Sequence, residues 1–412
     1  MKKLLFAIVA LFLGTVQMNA QTIYFEDAQI PENGQGIITL KFETGGRTII
    51  GYGFELVLPK GLSVALKGSN PNWSPEDGND VVNLTFQAPA SFGFLPSGTD
   101  TQVKGTEGRL MSVYLVADNT LSEGQELTVK VQKAMMIEKL SESDDQQTIK
   151  IDDFSFKVTI SDKWVLDENT AALSPASNGE VKVLVKRTIS ANQWSTICLP
   201  FDMWGDQVEE VFGADSQFAT FTSYTKDGGT PSTKQAFTAE SIKLNFDTHD
   251  WVANDGIFAN TPYLVKLSKD IDEFIVEDVD INPSENVDVQ VKTAVTTGRV
   301  CGHFYGTECA GKIIPEYGLF LNGNNFHYSK GKTKIKGFRG YFVLNDILAD
   351  LASPGVKIYV DGDATSIDGI GFQQNIDGVY DLSGRKIKIE GNDLNKLQKG
   401  VYIIDGKKVT IK

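Results

Sequence analysis

Apolar residues recur at every second position along most of this chain. Tyr52, Phe54, Leu56 and Leu58 do so in GYGFELVLP, Leu127, Val129 and Val131 in LTVKV, and Phe154, Phe156, Val158 and Ile160 in FSFKVTI. The pattern continues in Val181, Val183 and Val185, in Val287, Val289 and Val291, and in Val356, Ile358 and Val360. A two-residue period sends successive side chains to opposite faces, so each run predicts a strand with one face in a core and the other in water. Strands of that kind bury their apolar faces against one another as packed antiparallel sheets. Helical periodicity is nearly confined to GDQVEEVFG, where Asp206 can cap, Glu209 stands three residues on, Val208, Val211 and Phe212 share a face, and Gly213 ends the turn. The expected fold is all-β: two antiparallel β-sandwich domains in tandem, plus a small C-terminal β-hairpin repeat unit.

Boundaries fall where alternation lapses into small and polar residues, at 161–180 and again at 361–378. The opening MKKLLFAIVALFLGTVQMNAQ has two lysines, an apolar run from Leu4 to Leu13 and small Ala20 before Gln21, the pattern of a secretory signal. The expected organisation is therefore a signal segment at 1–20, a first sandwich at 21–160, a second β-rich domain with one short helix at 161–362, and a linker and tail at 363–412. No second apolar run is long enough to span a membrane, and no cysteine stands near the cleavage point to carry a lipid.

The formal charge of -14 disfavours nucleic acid as a partner, because phosphate neutralisation needs basic surface. Residues 373–412 run the other way, with eight Lys or Arg against five Asp or Glu. Three cysteines allow at most one internal disulfide. Cys301 and Cys309 in VCGHFYGTECAG, with Gly302 and Gly306 between them, are the expected pair, while Cys198 in STICLPF reads as a buried thiol. Cys301, His303 and Cys309 lack a fourth zinc ligand at a usual spacing, so no metal is expected.

In the first block, IPENGQGIITLKFETGGRTIIGYGFELVLPKGLSVA and GRLMSVYLVADNTLSEGQELTVKVQKAMM resemble the cohesin-like modules of exported bacterial proteins, which are sandwiches related to carbohydrate-binding domains. The resemblance covers about a third of the chain and implies a binding module. Cohesins bind dockerins, and no dockerin occurs here: Asp361, Asp363 and Thr365 begin a calcium-loop pattern, but Ser366 replaces its glycine and Phe372 its final Glu. In the second block, QWSTICLPFD at 193–202, NTPYLVKL at 260–267, residues 316–344 and VKIYV resemble a module common in Bacteroidota surface proteins, which implies a fold and no chemistry.

The tail repeats itself. Gly378–Ile387 (GVYDLSGRKI) aligns with Gly400–Val409 (GVYIIDGKKV), matching Gly378, Tyr380 and Gly384 with Gly400, Tyr402 and Gly406, ahead of Lys407 and Lys408. Each copy predicts a strand, a tight turn and a second strand, and two such hairpins can share one face in a four-stranded unit. The pattern resembles the C-terminal sorting domains of the type IX secretion route. By that resemblance the tail is read by the secretion machinery and then removed or used for surface attachment; the alternative is a structural cap.

No nucleophile motif, phosphate loop or metal cluster accompanies His249, His303 and His327, so no catalytic residue and no cofactor are expected, although a glycosidase-type carboxylate pair is invisible in sequence. Sugar faces stack on exposed aromatic rings. NPNWSPEDGND at 70–80 offers Trp73 with Asn72 and Asp77 beside it, and Phe92 and Phe94 could extend the platform; the other reading has Trp73 plugging an open end of the sandwich. Trp194 and Trp204 are expected in the core. Two functions stay open: a noncatalytic secreted or cell-surface protein engaging a glycan, a host protein or another surface protein in adhesion, or a polysaccharide-degrading accessory enzyme with an unrecognised carboxylate site.

Overall fold

The structure is a computed structural model. It describes residues 22–365 except 78, 80–83, 89, 95–101, 141–144, 229, 232–236, 240, 293–299, 324 and 348–354, together with 379–381, 385–387, 400–404 and 407–411. The expected signal segment, Gly378, Gly384 and Gly406 lie outside the described residues, as do the side chains of Phe94, Cys301, Tyr380, Lys407 and Lys408.

The first block is a two-sheet sandwich. One sheet runs Thr22–Phe25, Gln35–Glu43, Glu107–Ala117, Leu62–Val64, with Trp73–Pro75 also paired to Glu107–Ala117. The other runs Ala28–Pro31, Phe154–Ser161, Glu126–Lys139, Ile49–Val57, Ser91–Phe94, Leu84–Gln87. Alternation does what it predicts: Ile38, Leu40 and Phe42 from one sheet meet Tyr52, Phe54, Leu56, Val129, Val131, Phe156 and Val158 from the other in one core.

The second block has three layers. A six-stranded sheet, Trp194–Ile197, Tyr263–Lys266, Gln217–Asp227, Ser241–Thr248, Gly355–Val360, Asp363–Ala364, packs one face on a five-stranded sheet made by Val287–Lys292, Val300–Thr307, Arg339–Leu344, Leu319–Asn322 and Asn325–Tyr328. At its other face, Ile197, Phe218, Tyr263 and Val265 join a second core with the helix Gly205–Phe212 and the three-stranded sheet Lys163–Asp167, Val181–Lys186, Phe274–Val279. Strands covered on both faces need no polar alternation, which is why ICLPF and PYLV read as unbroken apolar text. Trp164 and Trp251 both belong to the helix-side core.

The segment at 161–180 is more than a spacer, because its first half forms the strand Lys163–Asp167, parallel to Val181–Lys186. The tail forms a four-stranded sheet in the order Lys386–Ile387, Val379–Asp381, Gly400–Ile404, Lys407–Ile411.

Candidate functional site

The loop at 70–80 does not form a free aromatic platform. Trp73 pairs with Val113 across the sheet and packs half-buried on the first core. Phe92 is only 3% exposed and stacks on Phe54 at 5.0 Å, so it is withdrawn from any ligand face. Asn72 spends its backbone, donating to the Ala65 carbonyl and accepting from the Tyr114 N–H.

What the loop does instead is fasten the two blocks. Glu76 is buried, and its carboxylate accepts from Ser112 Oγ at 2.7 Å, from the Ala171 N–H at 2.9 Å and from the Ala172 N–H at 3.2 Å, with Arg109 3.8 Å away. Burial still pushes its carboxyl above the ordinary value, against these donors. Asp77 takes the Arg109 N–H on its side chain and Lys334 Nζ on its carbonyl, at 2.9 and 3.0 Å.

A second buried carboxylate cluster lies wholly within the second block. Glu168 is buried among three cations, Arg339 at 2.7 Å, Lys336 at 2.9 Å and Arg187 at 3.4 Å. Burial raises its carboxyl, but the cations outweigh burial and hold it below the usual range. Arg187, wholly buried, is pulled down by burial and by Arg339, because its one counter-ion is shared.

Residues of both blocks border a cavity of about 290 Å³, among them Gln29, Thr39, Trp164, Thr170 and Glu308. Glu308 Oε2 accepts the Ser284 N–H at 2.8 Å, whereas Oε1 is buried without a hydrogen bond. Burial pushes this carboxyl up to about 7.

The expected Cys301–Cys309 pairing is absent: Cys309 is a free thiol. Cys301 is the second residue of the extended strand Val300–Thr307 and Cys309 lies beyond its other end. At about 3.3 Å per residue that strand separates them well past the roughly 7 Å between Cα atoms that a disulfide tolerates. Cys198 is buried as expected, so close to Gly306 that a Cβ there would meet its Sγ at 2.5 Å. The histidines do not converge: His249 bonds the Gly256 carbonyl, His303 bonds Asp288, and His327 stacks on Phe320. Among the described residues no group of three or more His, Cys, Asp or Glu is arranged to hold a metal ion.

The concavity best suited to a ligand surrounds a residue expected in the core. Trp204 is 57% exposed. It is the N-cap of the helix Gly205–Phe212, with φ -68° and ψ 160°, two residues before the Asp206 cap that the sequence suggests. Its spacing to Val208 and Phe212 would place it on their buried face in a continuous helix, but the extended backbone at the cap throws the indole outward. The position is rigid. The Trp204 N–H donates to Gln207 Oε1 at 2.7 Å, and Gln207 Nε2 donates to the Glu277 carbonyl at 2.6 Å. Met203 and Ile257 exchange both backbone hydrogen bonds, and only glycine fits at 256, where φ is +130° and a Cβ would lie 1.8 Å from the Met203 carbonyl oxygen. Asp206, Gln207 and Glu210 on the helix and Ile275, Glu277 and Asp278 on the facing strand complete, with Trp204, a groove of about 480 Å³. Lys182 bridges Glu277 at 2.6 Å on its edge.

No family model matches the chain, and no curated protein does. About a third of it is similar in structure to solved cohesins. These include a non-cellulosomal cohesin from the archaeon Archaeoglobus fulgidus (14% identity, TM-score 0.25, 34% of this chain and 91% of that one) and the seventh ScaB type I cohesin from Pseudobacteroides cellulosolvens (12%, 0.26, 34% and 93%). CaCohA2 from Clostridium acetobutylicum is similar at 9% identity and a TM-score of 0.27, over 35% of this chain and 94% of that one.

Proposed function

We propose that this chain is an exported, noncatalytic surface protein that binds a carbohydrate in the groove beside Trp204, with its basic tail serving the secretion machinery. The observation that carries the reading is a largely exposed indole fixed at a helix cap and ringed by carboxylate and amide side chains. A sugar's C–H face stacks on such a ring while its hydroxyls donate to the carboxylates. Because the Met203–Ile257 and Gln207 contacts hold Trp204 before any ligand arrives, little ordering cost falls on binding.

Binding is favoured over hydrolysis by solvation. A glycosidase acid keeps its proton near neutral pH by being withdrawn from water. The groove's own carboxylates, Asp206, Glu210, Glu277 and Asp278, are all exposed, so none beside Trp204 is withdrawn from water in this way. Among the described residues no helix is long and apolar enough to cross a membrane, and export rests on the opening segment and the tail.

On a glycan array, the chain from residue 21 is expected to bind a defined set of sugars, and Trp204→Ala to lose at least about tenfold in affinity with its thermal midpoint unchanged. Trp73→Ala should keep the binding. Equal affinity in Trp204→Ala, or an array and host-matrix panel silent for both chains, overturns the groove reading. Deleting residues 379–412 is expected to shift the protein from the outer surface or medium to the periplasm in cell fractions; unchanged distribution rejects a sorting tail.

A further inference from the structure

The chain is acidic overall, with a pI near 4.8, yet one ribbon of the second block is the reverse. Residues 310–344 carry Lys312, Lys330, Lys332, Lys334, Lys336 and Arg339 against a single carboxylate, Glu316. The local structure turns this into a row. Ser329 and Ile335 are buried, while Lys330, Lys332, Lys334 and Lys336 are exposed at every second position between and beside them. Ser329 Oγ donates to the Ile314 carbonyl at 2.7 Å, Ile313–Ile314 pairs with Thr333–Lys334, and the Ile335 N–H reaches the Lys312 carbonyl at 3.0 Å. The stretch is thus tied to the block with its lysines exposed, the chain bending at Gly331, where φ is +73°, between Lys330 and Lys332. At about 3.3 Å per residue, Lys330 to Lys336 spans at most roughly 20 Å.

These charges are largely uncompensated. Among the described residues no carboxylate pairs with Lys330, Lys332 or Lys334; Lys334 Nζ spends one donor on the neutral Asp77 carbonyl, and only Lys336 and Arg339 are shared with Glu168. Glu316 sits beside Gly331, near one end of the row. Next to the row lies a cavity of about 290 Å³ with an apolar floor of Phe320, Ile314 and Ile335 and a rim formed by Lys334, Lys336 and Arg339.

We propose that this ribbon is a second binding surface, separate from the Trp204 groove, and that it takes an anionic polysaccharide with carboxylate or sulfate groups on successive sugars. A single file of cations matches the charges of one linear chain, and the apolar-floored cavity accepts a sugar face, which a polymer of phosphates does not offer. Attraction of this kind weakens as salt rises, in proportion to the charges neutralised.

The test is fluorescence anisotropy of the full mature chain with labelled heparin and labelled polygalacturonate, titrated at several salt concentrations. The Lys330→Ala/Lys332→Ala double variant is expected to bind at least one of them about tenfold more weakly, with the slope of log affinity against log salt reduced by about one to two. Both lysines are exposed, so its thermal midpoint should not move. Equal affinity in the double variant overturns the proposal, as does failure of the unaltered chain to bind either probe. Equally tight, lysine-dependent binding of a double-stranded DNA overturns it too, by showing general attraction to polyanions.

Discussion

Glu168→Ala is expected to cost about 3–5 kcal/mol of stability, because it leaves a buried cation without its anion. Arg187 is completely buried, donating Nε to the Phe338 carbonyl at 3.2 Å and Nη2 to the Thr196 carbonyl at 2.7 Å. Those carbonyls orient the guanidinium but carry no charge; Glu168 is the carboxylate paired with it. Once Glu168 is gone, the fully buried Arg187 is left beside Arg339, a like charge, with no carboxylate to offset it. Urea unfolding measures the loss, and a change below about 1 kcal/mol would show that Glu168 is not the anion on which the buried Arg187 depends. Glu168→Met combined with Arg187→Met should cost less than Glu168→Ala alone, since apolar side chains of similar volume replace a buried pair with little penalty.

Glu308→Gln is expected to act in the opposite direction and to depend on pH. Its carboxyl sits at about 7 in the folded chain, raised by burial, against an ordinary value of 4.5. Between these two values the folded state holds more protons than the unfolded one, so the contribution of Glu308 to stability falls as pH rises through that window. Above pH 7 the full penalty applies, about 3 kcal/mol from the size of the shift. Below pH 4.5 both states are protonated and the penalty vanishes. Glutamine keeps the shape without the charge, so the variant should be more stable than the unaltered chain at pH 8 and nearly equal to it at pH 4.5. Parallel urea curves at both pH values would sink this account. Glu168 has the opposite sign: its carboxyl is held low, so the stability it supplies is present above the ordinary carboxylate range and is lost on acidification.

Period two was enough to place the first block's core, since Tyr52, Phe54, Val129 and Phe156 point where alternation sends them. In the second block it placed Val183, Val185, Val291, Val356 and Ile358, but not the strand Tyr263–Lys266, which is covered on both faces and so loses the polar positions that define a period. The loop at 70–80 misled for another reason. Its composition is that of a ligand loop, but Glu76 meets Ala171 at a sequence separation of 95 and Asp77 meets Lys334 at 257, distances over which one sequence carries no pairing signal. Trp204 was expected in the core because large aromatic side chains are mostly buried, and the extended backbone at the helix cap turns it outward. The tail was the most legible part, because its repeat states the pairing of its strands directly.

The placement of the partners of Glu168 also sets a timetable. Lys336 and Arg339 follow it by 168 and 171 residues, and the strand Gly355–Val360 must arrive before Ser241–Thr248 gains its parallel neighbour. The first block has all its strands by Ser161. At a synthesis rate of about 5–20 residues per second, the remaining stretch takes roughly 10–40 s. For that interval a finished sandwich is followed by an open half with two unfilled cores, its buried acid still waiting for its cations.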